Sequence, residues 1–331
     1  MQPDCSCPFE VRTAQKMRDF IEERMESLNA AAYVGTGGAT LFESSSAENS
    51  EDKEASSDQQ IDPVTLLNAA PGAFVSGLKE PLSASLWPYK VVQALAREST
   101  LATFVETCRV LKIVEGASAD ETDAGHTTVH TSKGELIART VIVATNAWIT
   151  DVLPELEAHV KAVTNTVLCS KLPVPPEMRW PIATISCGDG AEEVYINQRE
   201  DGRIVLGGLR SKDQSLCQSD SGPGDSAIAH ALQEWFRERF PAMASVIGSY
   251  EYCWKGCIGI PQDGMPIAGR LPGRGDMVYV CGGFAGHGMP RCLGLAEGLV
   301  QHICGLEVSE AEYMARCDVR RFFTDAILHT P

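Results

Sequence analysis

The segment Val280-Cys281-Gly282-Gly283-Phe284-Ala285-Gly286-His287-Gly288-Met289 constrains the chain more than any other. The apolar run Met277–Cys281 leads into it, and a helical pattern from Met289 to Ile303, stopped by Gly305, follows it. A strand that ends in glycines against a helix N-terminus lets the backbone approach a ligand. Its free N–H groups and the helix dipole favour negative charge. Tight packing of strand on helix produces the same spacing, so the glycines alone leave cradle and packing both open. Too little chain follows Gly288 for a second crossover, so the loop reads as a late, auxiliary wall of any nucleotide site.

A second apolar run, Val141-Ile142-Val143-Ala144, reads as a buried parallel strand. Its carboxyl end, Ala144-Thr145-Asn146, falls where open α/β sheets bind ligands. Helical spacing is predicted over residues 14 to 28 (Met17, Phe20, Ile21, Met25, Leu28) and from Pro88 to Glu98 (Val91, Val92, Leu95, Ala96). A third helix carries Ile228, Ala231, Leu232, Trp235 and Phe236 and ends at Pro241. Phe104–Glu106 and Thr127–Thr131 are strand candidates. From Val163 to Tyr252 short β runs such as Val194-Tyr195-Ile196 and Ile204-Val205-Leu206 alternate with turn signals. Gly35-Thr36-Gly37-Gly38 looks like the start of a dinucleotide fingerprint. It is rejected, because a poor strand precedes it and an acidic serine-rich stretch follows. That stretch, Glu43 to Asp58, cannot bury enough surface to offset chain entropy and is read as a disordered insertion.

With a formal charge of −16, the chain lacks the Lys/Arg surplus of a general nucleic-acid binder or a polybasic membrane anchor. No apolar run reaches the roughly 20 residues of a membrane span, and the N-terminus has no secretory pattern. The expected location is therefore intracellular and cytoplasmic, with the twelve cysteines as thiols; His329-Thr330-Pro331 is not a peroxisomal address. Neither Cys5/Cys7 nor Cys253/Cys257 has the pattern of a zinc site, so no metal is expected. No nucleophile-elbow context is present, which disfavours hydrolysis.

The tail Trp254-Lys255-Gly256-Cys257-Ile258-Gly259-Ile260-Pro261-Gln262-Asp263-Gly264-Met265-Pro266-Ile267-Ala268-Gly269, followed by Gly283 to Met289, resembles the C-terminal signature of the D-amino-acid-oxidase-like (DAO) family of FAD-dependent oxidoreductases. Val141–Trp148 is similar to the family's strand ending Ala-Thr-Asn, and Leu86–Leu95 to one of its helices. The resemblance runs from Pro71 to Gly305. It implies an α/β (α+β mixed) fold in which a truncated, Rossmann-like FAD-binding domain is interleaved with an antiparallel β-sheet substrate domain. The implied map is 1–70 for the N-terminal helix and acidic insert (43–60), 71–162 and 255–310 for the FAD-binding part, 163–254 for the substrate domain and 311–331 for a tail. It also implies FAD as cofactor, a small amine or amino acid as substrate, hydride transfer to the flavin, and oxygen as one candidate electron acceptor. By position, Val110 corresponds to the strand residue at the adenine. Ala144, Thr145, Asn146 and Trp148 correspond to the turn beside the pyrophosphate or ribitol. Gly283, Phe284, Gly286, His287, Gly288 and Met289 correspond to the loop at the flavin's pyrimidine edge, where amide donors stabilise charge on the reduced ring. Some members attach flavin through a cysteine near Cys257, but the register here differs by one residue.

The family's opening strand, GxGxxG turn and helix have no counterpart before residue 71. A truncated gene, a fragment and a degenerate chain that no longer binds flavin are the three readings of that departure, and weak or absent yellow colour is expected. A non-catalytic remnant serving as a binding or structural protein is the alternative function. Hydride transfer needs orientation and often a cation near the ring. Arg210, just after a predicted strand, is the candidate partner of a substrate carboxylate, with a surface arginine as the plain alternative. Lys212 is the weaker candidate for promoting oxygen reduction. His287 lines the flavin pocket or contributes only its backbone. Arg291 faces the pocket mouth or solvent, and Asp263 fixes a turn.

Overall fold

The computed structural model describes residues 8–24, 36–43, 60–115, 126–188, 193–210, 222–274 and 277–323. Helix α1 (Pro8–Glu23), strand β1 (Gly38–Phe42), strand β2 (Gln60–Ile61), helix α2 (Pro63–Leu67), strand β3 (Ser76–Glu80) and helix α3 (Pro88–Glu98) come first. A meander follows, made of β4 (Val110–Glu115), β5 (Thr127–Thr131) and β6 (Gly134–Ala138). It leads into the short strand β7 (Val141–Val143) and helix α4 (Ile149–Val152). Next are β8 (Val160–Ser170), β9 (Thr184–Cys187), β10 (Val194–Gln198), β11 (Ile204–Gly208), α5 (Ser226–Arg239), α6 (Pro241–Ile247) and β12 (Tyr250–Pro261). Strands β13 (Ile267–Arg270) and β14 (Val278–Gly282) with helices α7 (Met289–Ile303) and α8 (Ala311–Cys317) complete the order.

Eight strands form the large sheet in the order β12-β8-β11-β10-β9-β1-β3-β2. All its pairings are antiparallel except β1 with β9. Because side chains alternate along a strand, one face gathers Leu41, Leu168, Ile185, Ile196 and Leu206. Leu232 and Phe236 of α5, and Phe240 beyond it, close that face. Full burial of each of these rings is worth roughly 2–3 kcal/mol. Helix α5 starts where Asp225 accepts the N–H groups of Ala227 and Ile228, and α2 where Asp62 accepts that of Val64. The opposite face of the sheet carries Asn165, Ser186 and Tyr195.

A second sheet, β13-β14-β7, joins β14 and β7 in parallel, with Val280 opposite Val143. Its core holds Val143, Ile149, Leu153, Ile267, Val278, Val280, Val319 and Phe322. Helix α1 packs along α7, with Thr13 against Gly294, and its Ile21 meets Val91 and Ala94 of α3. Among the described residues no helix is long and apolar enough to cross a membrane.

Helices α3, α5 and α7 and strands β5, β7, β10, β11 and β14 form where periodicity places them. Phe104–Glu106 is irregular instead, with Phe104 60% exposed, and the strand forms further on as β4. Val92 is 63% exposed although the helical stripe includes it; α3 turns Ala94 inward beside Val91 instead. The glycines at 37 and 38 introduce β1, which long-range pairing stabilises by burying Ala39 and Leu41. Residues 44–59 of the acidic stretch lie outside the described residues. The large sheet draws β1, β2 and β3 from before residue 81, as well as strands of the 163–254 segment. Beyond residue 310, Val319 and Phe322 are buried in the second core, so the chain is packed as far as these residues.

Candidate active site

Strand β14 delivers a loop that curls through three left-handed residues: Gly283 (φ +66°), Ala285 (φ +52°) and Gly286 (φ +85°). Only glycine takes that conformation without strain. Within the loop, His287 N–H donates to Phe284 O at 2.9 Å, and Ala285 N–H donates to Gly259 O of β12 at 3.0 Å. The N–H groups of Gly286, Gly288 and Met289 find no acceptor among the described residues. Three free amides at the start of a 15-residue helix favour a ligand edge that carries negative charge.

The tip of β7 fastens this loop. Asn146, at φ +47°, accepts the N–H groups of Gly283 (2.9 Å) and Phe284 (3.2 Å) through its side-chain oxygen. A Cβ on Gly282 would press on Ile149 and Asn146, and one on Gly259 on the Asn146 backbone, so both glycines permit this close approach. Ala144 and Thr145 are exposed beside it, and Trp148 is half-buried one turn on. Val110 packs half-buried against the core that contains Val143 and Ile149. The side chain of Asn146 is therefore committed to the loop, while Ala144 and Thr145 remain accessible.

Across from the loop lies the polar face of the large sheet. Arg210 follows β11, and its Nη1 would lie 3.6 Å from a Cβ on Gly286; Ile258 Cδ1 would lie at 3.9 Å. Arg210 also pairs with Glu193 at 3.3 Å, with side chains only 11% and 15% exposed. Glu193 accepts in addition from Ser186 Oγ at 2.8 Å. Tyr195 lies over Gly207, where a Cβ would collide with its phenol. Its hydroxyl accepts from Asn165 Nδ2 at 2.7 Å. Burial pushes the Tyr195 phenol up, against the pull of Asn165 and Arg210, so it stays neutral. Asn165 is 6% exposed, and its Oδ1 has no hydrogen-bond partner among the described residues.

His287 is half-buried and turns Nδ1 back to Ala285 O at 3.2 Å. A carbonyl only accepts, so Nδ1 is the donor here, and in the neutral ring Nε2 is the acceptor. Lys212 lies outside the described residues. Arg291 is 2% exposed in α7, beside Cys317, and so faces neither a pocket mouth nor solvent. Cys257 is disulfide-bonded, which corrects the reading of all twelve cysteines as thiols. The buried Cys281 next to the loop is pushed up to about 11 by burial, with Cys292 beside it, and is inert as a nucleophile. No metal-ligating cluster exists among the described residues.

Arg210 and the loop from Gly283 to Met289 are thus brought together, with Asn146 behind them. Sequence reasoning missed Glu193, Tyr195 and Asn165. The only signal for Tyr195 and Asn165 is their place on the outward phase of two alternating strands, which ordinary surface residues share.

Residues 7–302 match the DAO family, described as FAD dependent oxidoreductase. A probable oxidoreductase, OrdL, of Rhizobium meliloti (strain 1021) is 24% identical over 222 residues, 64% of this chain and 46% of that protein. Its namesake in Haemophilus influenzae is 26% identical over 233 residues, 69% of this chain and 49% of that protein. The chain thus spans about half the length of the curated relatives it matches. Among solved structures, the L-proline dehydrogenase of P. horikoshii superposes with a TM-score of 0.72 at 18% identity, over 94% of this chain and 83% of that one. Glycine oxidase from Geobacillus kaustophilus gives 0.72 at 17% identity, over 93% and 82%. These likenesses establish the fold of flavin-dependent oxidases, and with the family match the chain belongs to the DAO family of FAD-dependent oxidoreductases.

Proposed function

We propose that this chain forms the flavin-facing and substrate-facing part of an oxidoreductase that oxidises a small amine or amino acid. The observation that carries the reading is the set of unengaged amides at Gly286, Gly288 and Met289, held opposite Arg210 and Tyr195 by Asn146. These residues fit the isoalloxazine end of FAD: the amides would face an electron-rich edge, and the glycine at 286 leaves the approach open. Ala144 and Thr145 are the exposed residues at the strand tip that would meet the ribityl or pyrophosphate portion. Among the described residues no glycine turn serves the ADP half, because Gly38 lies inside β1, where a Cβ would collide with Ser83 and Thr184.

When bound, the flavin supplies the two-electron acceptor for hydride from the substrate carbon. The protein's own part is to position and to exclude water. Half-buried Tyr195 and Ile258 and the buried Asn165 form the wall that fixes the substrate. Neutral Tyr195 and the Arg210–Glu193 pair set its polarity. The loop amides would stabilise negative charge on a bound ring. In the neutral ring, His287 Nε2 is an acceptor on the loop for a substrate or solvent hydrogen.

Titration of the purified chain with FAD, followed by flavin absorbance and fluorescence, tests the reading. Weak saturable binding, together with peroxide release from an amine or amino acid in air, is the supporting result. No binding at saturating FAD supports the non-catalytic reading instead.

A further inference from the structure

The strand–helix pair that carries the loop from Gly283 to Met289 has a cavity at its far end. It measures about 890 Å³ and lies between β13, the start of β14, the end of α7, and α8 with the turn after it. That volume is in the range of small-molecule pockets. Tyr279 lines it from β14, four residues before Gly283, so on the order of 13 Å of strand separates the cavity from the loop. His302 lines it from the last turn of α7, the helix that starts at Met289.

The two sides of the cavity differ in character. One is apolar: Ala311 and Ala315 stand one turn apart on α8, with Met314 beside them. Met314 can seat against α7 because residue 298 is glycine, where a Cβ would press on its Cγ and Sδ at 2.9 Å. Tyr279, 7% exposed, closes the inner end with His302 edge-on at 6.3 Å. The two alanines fill little of this side.

The other side is cationic. Three guanidiniums, those of Arg270, Arg320 and Arg321, line it against one carboxylate, that of Asp318. Arg321 is fixed by Asp263. Arg320 covers Asp318 Oδ2 through Nε and Nη2 at 2.9 and 2.6 Å, and its Nη1 has no acceptor among the described residues. A planar guanidinium can keep one carboxylate and take a second on its remaining donors. In a chain of formal charge −16, such a rim is a local reversal of sign that favours an anion. A nucleotide would set its many hydroxyls against the alanines and Met314, whereas a hydrocarbon chain that ends in one carboxylate matches both sides.

We propose that this cavity binds a free medium-chain carboxylate, its hydrocarbon against Ala311, Met314 and Ala315 and its head group at Arg270 and Arg320. The site is separate from the loop that faces flavin and does not depend on the proposed oxidase function.

Calorimetric titration of the full chain with octanoate, butyrate and octylamine tests the proposal. Octanoate is expected to bind at one saturable site, about tenfold or more tighter than butyrate, because each buried methylene adds affinity. It is also expected to bind about tenfold or more tighter than octylamine, whose charge repels the arginines. Ala315→Phe, at an exposed position of α8, fills the apolar side and is expected to weaken octanoate by about tenfold. Arg320→Gln is expected to weaken it by about threefold or more. Circular dichroism and melting curves check that each variant folds; either folded variant decides, and the comparison of the three ligands decides without them. Octanoate no tighter than butyrate or octylamine, absence of a saturable octanoate site, or octanoate affinity unchanged in a folded Ala315→Phe or Arg320→Gln overturns the proposal.

Discussion

The side-chain oxygen of Asn146 and the N–H of Gly283 meet at 2.9 Å, from positions 137 residues apart in the chain. Through this bond the tip of one parallel strand holds the first turn of the loop that follows its neighbour. Asn146→Ala removes both bonds to the loop and leaves a left-handed backbone that alanine tolerates poorly. A loss of about 2 kcal/mol or more is expected in urea unfolding. Asn146→Asp keeps the acceptor and the backbone tolerance, and should lie within about 1 kcal/mol of the parent. A folded Ala variant of unchanged stability would count against this role.

Gly286→Val tests the cradle. The new side chain has to take φ +85° and would project toward Arg210 and Ile258. Flavin affinity is expected to fall by about tenfold or more, with a stability loss of roughly 1 kcal/mol. Flavin fluorescence quenching reads the first quantity and urea unfolding the second.

The Arg210–Glu193 pair makes an asymmetric prediction. Arg210→Met leaves the carboxylate of Glu193 facing the sheet with Ser186 as its one donor among the described residues, and should cost about 3 kcal/mol. Adding Glu193→Gln is expected to recover much of that loss, because an amide needs no counter-charge. A double-mutant cycle in urea measures the coupling directly.

Asp263 predicts an acid-side signature. Burial pushes its carboxyl up, but the Arg321 guanidinium bonded to it and the N–H of Met265 more than offset this and hold it below 3.8. A carboxylate whose folded value is depressed contributes stability above its unfolded value and loses it as pH falls through the folded one. Asp263→Asn should therefore lower stability near neutrality by no more than about 1 kcal/mol, since the pair is partly exposed. Its stability should also fall less steeply than the parent's below about pH 4. Melting temperatures of both proteins across that range decide the matter.

Much of this architecture is legible from local pattern. The helices at 88–98 and 289–303, and the strands that carry Val141 and Val280, form where apolar spacing and glycine punctuation place them. Asp263 does fix a turn, through Met265 N–H at 3.1 Å. What the pattern hides is pairing over long distance. Gly38–Phe42 has no convincing strand context, yet β3 and β9 flank it on both sides. Ala39 and Leu41 gain their burial only from those neighbours. The loop at 283–289 and Arg210 were visible because glycine runs and strand ends leave a local trace. Glu193, Tyr195 and Asn165 leave no distinctive trace, because they come from β8 and the start of β10, with β11 between, and only tertiary register makes them neighbours.

The parallel join of β1 to β9 has a consequence for how the molecule comes into being. Gly38 meets Thr184 and Leu41 meets Cys187, so the seam in the middle of the large sheet unites stretches made early and late in synthesis. Until the later stretch emerges from the ribosome, the earlier one has an apolar edge and no partner on that side. Closure of such a distant seam is slow, and the waiting edge is open to wrong pairing. The nascent polypeptide is thus most exposed to aggregation before its large sheet can close.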